Sequence, residues 1–266
     1  MIEALSYEFI QNALIAGVLV SFISGIIGSL IVANRMVFLV GGVAHAAYGG
    51  IGLALFTGIP LFLGTSLFAV LAALFMAYIT IKERDKTDIF IGLIWAVGMA
   101  IGIILVDLTP GYNVDLMSYL FGSILAVDHE DLYFMAALFV LILFVLAFWY
   151  KDILAVSYDS EYAAIRGINV KLFFTIILIL SALSVVVAIK VVGLILVIAL
   201  LTIPIYIAQY LCSTLYSMMF VSGFVATLFT LVGLWLSYTY DLTSGACIIL
   251  VAALSLLFFM LWQKRS

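Results

Sequence analysis

Charge is scarce in this chain of 266 residues: Asp, Glu, Lys and Arg make up 9% of it, while 68% is hydrophobic. Its mean hydropathy of +1.40 lies far outside the range of soluble domains, whose apolar share is roughly 45–50%. A soluble globular protein is excluded. Cysteine is nearly absent, and Cys212 and Cys247 both sit in apolar runs, where they read as buried free thiols. The chain has no CxxC pair, no HExxH and no Gly-rich phosphate loop of the Walker type. Whatever energy the protein uses is therefore not released by nucleotide hydrolysis within it, and the chain is not expected to be an enzyme. With 10 basic against 14 acidic residues, no nucleic-acid partner is expected either.

What charge there is divides the chain. None falls within residues 9–34, 36–81, 89–106, 132–150, 172–189, 191–240 or 242–263. A charge at the centre of a membrane helix costs roughly 2.5–3.5 kcal/mol on insertion scales, so gaps of this length mark bilayer spans. A crossing needs about 20 mainly apolar residues, and the runs 36–81 and 191–240 each have room for two. The runs are continuously apolar instead of alternating, which selects helices over a transmembrane barrel. The expected fold is all-α, a polytopic membrane protein with eight or nine transmembrane helices. The N-terminal residues lack the basic stretch and cleavage site of a secretory signal, so the first span is expected to remain.

Lys and Arg in short loops set orientation. Arg35, the group Lys82, Arg84 and Lys86, the segment from Lys151 to Lys171, and Lys264 with Arg265 all reach one side when pairs of crossings separate them. That side is the cytoplasm. Asp107, Asp115, Asp128, Glu130 and Asp131 then face outward.

Polar atoms inside hydrocarbon must be paired or face a cavity, so the punctuation of the spans is informative. His45 stands in a charge-free run among Gly41, Gly42, Gly49 and Gly50. It reads either as a hydrogen-bonded histidine in a packing seam or as a metal ligand. Asp115 heads a moderately apolar segment at 114–127, as a solvated helix cap or as a second pathway ligand. Pro204 removes a backbone donor within an apolar run and marks a helix break of the kind that lines transport pathways. Lys190 reads as a snorkelling residue near an interface. His129, in the cluster 128–131, is a candidate entrance residue for cations. Residues 157–167 form the substantial polar stretch between spans and read as a short helix, with acidic residues leading and Gly167 closing it.

Taken together, Gly28 and Ser29, Asn34-Arg35-Met36, the Ala-His-Ala around His45, the segments 114–127, 157–170 and 191–204, and residues 240–245 resemble the permeases of ABC-3 family metal importers along the whole chain and in order. Zinc-uptake permeases are the nearest in this likeness, and manganese and iron permeases belong to the same family. The resemblance implies a type II ABC importer-like transmembrane domain over 1–266, working as a homodimer in a bacterial or archaeal cell (inner) membrane. It implies a cytoplasmic ABC ATPase and an extracytoplasmic metal-binding protein as partners. It implies no permanently bound cofactor, the divalent metal (zinc first, manganese or iron otherwise) being cargo. It maps the family's coupling helix onto 157–167, with Asp159, Glu161, Arg166 and Gly167 as ATPase-coupling residues, and makes His45 and Asp115 the candidate metal pathway. Neutral imidazole and carboxylate suit zinc and manganese alike.

The chain departs from the family pattern at Gly42, where relatives commonly carry an Asp, at Ser123, where many are acidic, and at 205–209, where small residues and an Arg are usual. Two other classes fit the composition. A secondary transporter or channel working without an ATPase would use intramembrane carboxylates, which these spans almost wholly lack. An intramembrane enzyme would need a nucleophile and base or a metal dyad.

Overall fold

A computed structural model describes residues 7–110 and 120–263. Among them, eight helices are long and apolar enough to cross a membrane, joined by a shorter apolar stretch at Val197–Leu211. The long helices are α1 (Glu8–Ala33), α2 (Val37–Thr57), α3 (Leu61–Lys82), α4 (Thr87–Asp107), α5 (His129–Tyr158), α7 (Val170–Val192), α10 (Leu215–Tyr240) and α11 (Ser244–Gln263). Between them lie α6 (Ser160–Ile165), α8 (Val197–Leu200) and α9 (Ile203–Leu211). The proline positions agree with this layout. Pro60 caps α3, Pro110 follows α4, and Pro204 occupies the first turn of α9, where a missing N–H costs nothing. Lys264 and Arg265, assigned above to the cytoplasmic side, lie outside the described residues.

The chain forms two compact units. The first is built from the described residues of Met1–Val32, Met117–Val145 and Val187–Ser266. Here α1 packs against α10 backbone to backbone: a Cβ on Gly25 would stand 2.3 Å from the amide nitrogen of Gly223. Buried hydroxyls stitch the contact, Ser21 to Thr230 at 3.0 Å and Ser222 donating to the Gly25 carbonyl at 3.0 Å. Small residues permit this approach, which in a membrane protein replaces the hydrophobic drive that lipid cannot supply.

One end of this unit is a knot of backbone. Gly122 and Gly193 both have positive φ, and a Cβ on either would fall 2.3 Å from the other's segment. The Ser123 N–H donates to the Lys190 carbonyl, and the Ile124 N–H donates to Ser244 Oγ. The C-terminal end of α7 and the start of α11 therefore meet at this end. Since α10 and α11 are joined through the short turn at Asp241, whose φ is +53°, the start of α10 lies at the opposite end. The stretch from Gly193 to Thr214 thus runs the length of the unit as an interrupted helix.

Lys190 is not left to snorkel. Its Nζ pairs with Asp131 Oδ2 at 2.9 Å, and that carboxylate is 7% exposed. Asp131 also exchanges hydrogen bonds with Asp128, each side chain accepting from the other's backbone N–H. Removing one partner of a buried pair leaves an uncompensated charge costing about 3–5 kcal/mol, whereas removing both is far milder. Lys190→Met alone is expected to lower thermal stability clearly, and Lys190→Met combined with Asp131→Asn to recover most of the loss. Equal melting temperatures for the single and double variants would show that the pair contributes nothing.

The second unit comprises the described residues of Ala33–Leu116 and Leu146–Val186. Its centre is α2, buried along most of its length between α3 and α4. Gly50 faces α3, where a Cβ would meet Thr65 Cα at 2.6 Å. A neighbouring face meets α4, with Gly49 between the two helices, its would-be Cβ 2.7 Å from Phe68 Cζ of α3 and 2.9 Å from the Gly98 carbonyl of α4.

Candidate functional site

The face of α2 that carries His45 also carries Gly42, Gly49 and Gly52, at offsets of three, four and seven that place all four on one side of a helix. Their partners on α4 run in the same direction. A Cβ on Gly42 would meet Ile91 Cγ2 at 2.9 Å, one on Gly49 would meet the Gly98 carbonyl at 2.9 Å, and one on Gly52 would meet the Gly102 carbonyl at 2.4 Å. The two helices are thus in parallel contact through backbone, with His45 and Tyr48 as the large α2 side chains bearing polar atoms at the seam.

His45 is 9% exposed. Its imidazole lies flat on the indole of Trp95, ring centroids 3.8 Å apart and planes inclined by 7°. Its Nδ1 is buried without a hydrogen-bond partner. This arrangement differs from either reading of the residue in isolation. A structural histidine normally satisfies its buried nitrogen, and a resident metal ligand normally passes its second nitrogen to a carboxylate or carbonyl. The His45 ring is held by packing alone.

Among the described residues, no group of three or more His, Cys, Asp or Glu side chains comes together as a metal site. Asp115 lies outside the described residues. A side chain at residue 42, where the resemblance leads one to expect a carboxylate, would run into Ile91, which is itself 8% exposed. His129 belongs to the first unit, at the end where α5 begins; its Nε2 pairs with Glu8 Oε1 at 2.7 Å in the open. Pro204 follows the interruption instead of kinking a continuous helix. The chain leaves helical geometry at Gly193, with φ +85°, and again at Thr202, whose hydroxyl donates back to the Ile198 carbonyl at 2.8 Å.

The stretch at 157–167 folds as α6 with both ends closed. Asp159 is the N-cap and accepts from the Tyr162 N–H at 2.9 Å. At the far end Gly167, with φ +80°, donates to Ala164 while Ile168 donates to Ala163, which is the Schellman pattern. Ser157, at the end of α5, accepts from Asn34 Nδ2 at 2.9 Å. Within α6 only Ala163 is buried. Glu161 is exposed, Arg166 lies over the Tyr162 ring at 5.5 Å, and Ile165 is 86% exposed. A two-turn helix so firmly capped and so bare of partners is a presented surface.

Trp95 and Ile91 were not singled out from sequence, since both lie in the uniform apolar run 89–106. The spacing of Gly98 and Gly102 was the available signal, because a small-xxx-small pair marks the face of α4 that a neighbour approaches.

Eight long apolar helices, an interrupted ninth element and a capped polar helix between spans define a multi-pass membrane permease built on the ABC importer architecture. A solved structure described as PsaBC from Streptococcus pneumoniae in complex with Fab matches with a TM-score of 0.88 at 31% identity, covering 97% of this chain and 93% of that one. The chain belongs to the ABC 3 transport family, whose model matches residues 6–263. It is 47% identical over 264 residues to an uncharacterised membrane protein of Synechocystis, covering 99% of this chain and 94% of that one. It is 33% identical over 256 residues to the manganese transport system membrane protein MntC of Listeria monocytogenes, covering 96% and 90% respectively.

Proposed function

We propose that this chain is the membrane permease of an ATP-driven importer of a divalent transition metal, residues 1–266 acting as one transmembrane domain in a bacterial or archaeal cell membrane. The observation that carries the reading is the match along almost the whole chain to a protein named for manganese transport. That match favours manganese as cargo over the zinc first expected, with iron as the remaining candidate. In this reading two copies of the permease enclose the pathway, an extracytoplasmic binding protein delivers the metal, and an ATPase pair bears on α6.

His45 supplies the chemistry on the pathway, with Asp115 as its expected companion. An imidazole nitrogen is a moderate ligand for manganese and a good one for iron and zinc. A carrier must release what it binds, so a sparse set of ligands suits passage better than a closed coordination shell. The buried Nδ1 without an acceptor weakens His45 further as a permanent ligand.

The test is uptake of radioactive manganese, zinc and iron into vesicles holding the permease with its ATPase and binding protein. ATP-dependent uptake of manganese in preference to the others is expected, and His45→Ala is expected to lower it at least tenfold while leaving binding-protein docking intact. Uptake that follows a proton gradient and ignores ATP would instead establish the secondary transporter.

A further inference from the structure

We propose that Trp95 is a positioning residue of the metal pathway, its indole clamping the imidazole of His45 so that one ring nitrogen stays buried and the other is the ring's outlet for a divalent cation. The inference rests on the reading of His45 as a pathway ligand and adds the residue that orients it.

Three observations converge on Trp95. The first is the stack itself, with centroids 3.8 Å apart and a 7° inclination. The second is that no hydrogen bond on Nδ1 holds the ring. A ligating histidine is ordinarily fixed by a hydrogen bond from its second nitrogen, and Nδ1 of His45 has none. A flat aromatic face is the remaining way to fix the plane of an imidazole, and it does so without drawing on either nitrogen. The third is the fit of the seam. His45 and Trp95 lie at the same level, between the contact of Gly42 with Ile91 on one side and that of Gly49 with Gly98 on the other, so the close approach of the two backbones brings the rings face to face, with Trp95 itself 38% exposed.

This device has a functional consequence that a hydrogen bond would not have. A carboxylate on Nδ1 raises the basicity of the ligand and tightens the metal. An indole fixes the plane of the ring without accepting a hydrogen bond from Nδ1, which gives orientation without the tighter metal binding that a carboxylate partner confers. That combination suits a carrier, where a precise but weak contact speeds both arrival and departure.

The decisive experiment is a double-variant cycle on manganese uptake by the assembled complex, comparing Trp95→Leu, Trp95→Phe, His45→Ala and Trp95→Leu with His45→Ala. Loss of a stacked aromatic pair corresponds to roughly a three- to tenfold effect. Trp95→Leu is therefore expected to raise the KM for manganese by that factor with a smaller change in maximal rate, and Trp95→Phe, which keeps a flat ring, to restore it. In the His45→Ala background Trp95→Leu is expected to change nothing further. An equal effect of Trp95→Leu in both backgrounds, or no effect in either, would overturn the proposal and leave Trp95 as packing.

A second readout does not depend on transport. With Trp149, Trp235 and Trp262 replaced by Phe, the emission of the purified full-length permease reports Trp95, and cobalt(II) is expected to quench it in a manner abolished by His45→Ala. Quenching that ignores His45→Ala would refute the positioning role. If the wild-type complex transports no metal yet the permease shows His45-dependent quenching, the importer reading fails while the orientation of His45 by Trp95 stands.

Discussion

Gly52→Ala is expected to destabilise the protein by about 2–3 kcal/mol, a loss on the order of 5–10 °C in melting temperature, although it adds a single methyl group. The argument is geometric. The new Cβ would lie 2.4 Å from the carbonyl oxygen of Gly102, 2.7 Å from its Cα and 2.9 Å from its carbonyl carbon. Every one of these atoms is backbone, so no side chain can swing aside, and relief requires α2 and α4 to part. Parting them would separate His45 from Trp95, and manganese uptake should fall with stability. Gly92 supplies the internal control, because it lies on α4 with nothing within 4 Å of its would-be Cβ. Gly92→Ala should be neutral or slightly stabilising, since alanine is the better helix former by about 0.5–1 kcal/mol. Matched melting curves of the two variants in detergent decide the matter. If both behave alike, the close approach of α2 and α4 is not what holds this unit together.

The seam shows how far sequence could be read and where it stopped. The spans were legible because charge is costly in hydrocarbon and its absence is visible residue by residue. The run 9–34 became Glu8–Ala33, the run 36–81 became two helices parted at Gly58, and the run 172–189 became Val170–Val192. The helix of 129–158 extends past its charge-free run of 132–150, but it is kinked at Trp149 (φ −120°, ψ 18°), just where that run ends and Lys151 and Asp152 follow. The ends of α6 were legible for a local reason: an N-cap aspartate and a left-handed glycine act on their own neighbours.

What depends on partners far along the chain left no such trace. Lys190 reads from sequence as an interfacial cation, and in the structure it pairs with Asp131. Gly42 was legible as a missing carboxylate, but not that a side chain there would run into Ile91 of another helix. Pro204 was legible as a break, though the interruption begins at Gly193 and the proline merely opens the helix that follows. His45 was visible as a lone imidazole in a small-residue run, whereas the indole that determines its plane was one aromatic among many apolar residues.

The largest functional effect is expected from the opposite kind of site, one that touches nothing. Ile165→Asp should abolish ATP-driven uptake while leaving insertion and folding intact. Ile165 is 86% exposed on a helix whose sole buried residue is Ala163, so the substitution removes no internal contact. Burying a side chain of this size against a partner contributes about 1.5–3 kcal/mol, and a carboxylate forced into the same contact adds a desolvation cost. Since about 1.4 kcal/mol is tenfold in affinity, the ATPase should dissociate from the variant at least tenfold more readily. Replacing Glu161 and Arg166 by Ala should act differently, leaving docking close to normal but reducing the uptake obtained per ATP hydrolysed. Gly167→Ala separates these effects from simple disruption of α6. The glycine has φ +80° with open space about it, so alanine there strains the backbone by about 1 kcal/mol without altering the presented face. Co-purification of the ATPase with each variant, followed by uptake and hydrolysis on the same vesicles, distinguishes the three outcomes. If Ile165→Asp retains the ATPase and transports normally, α6 is not the docking surface and the coupling contact must be sought elsewhere on the permease.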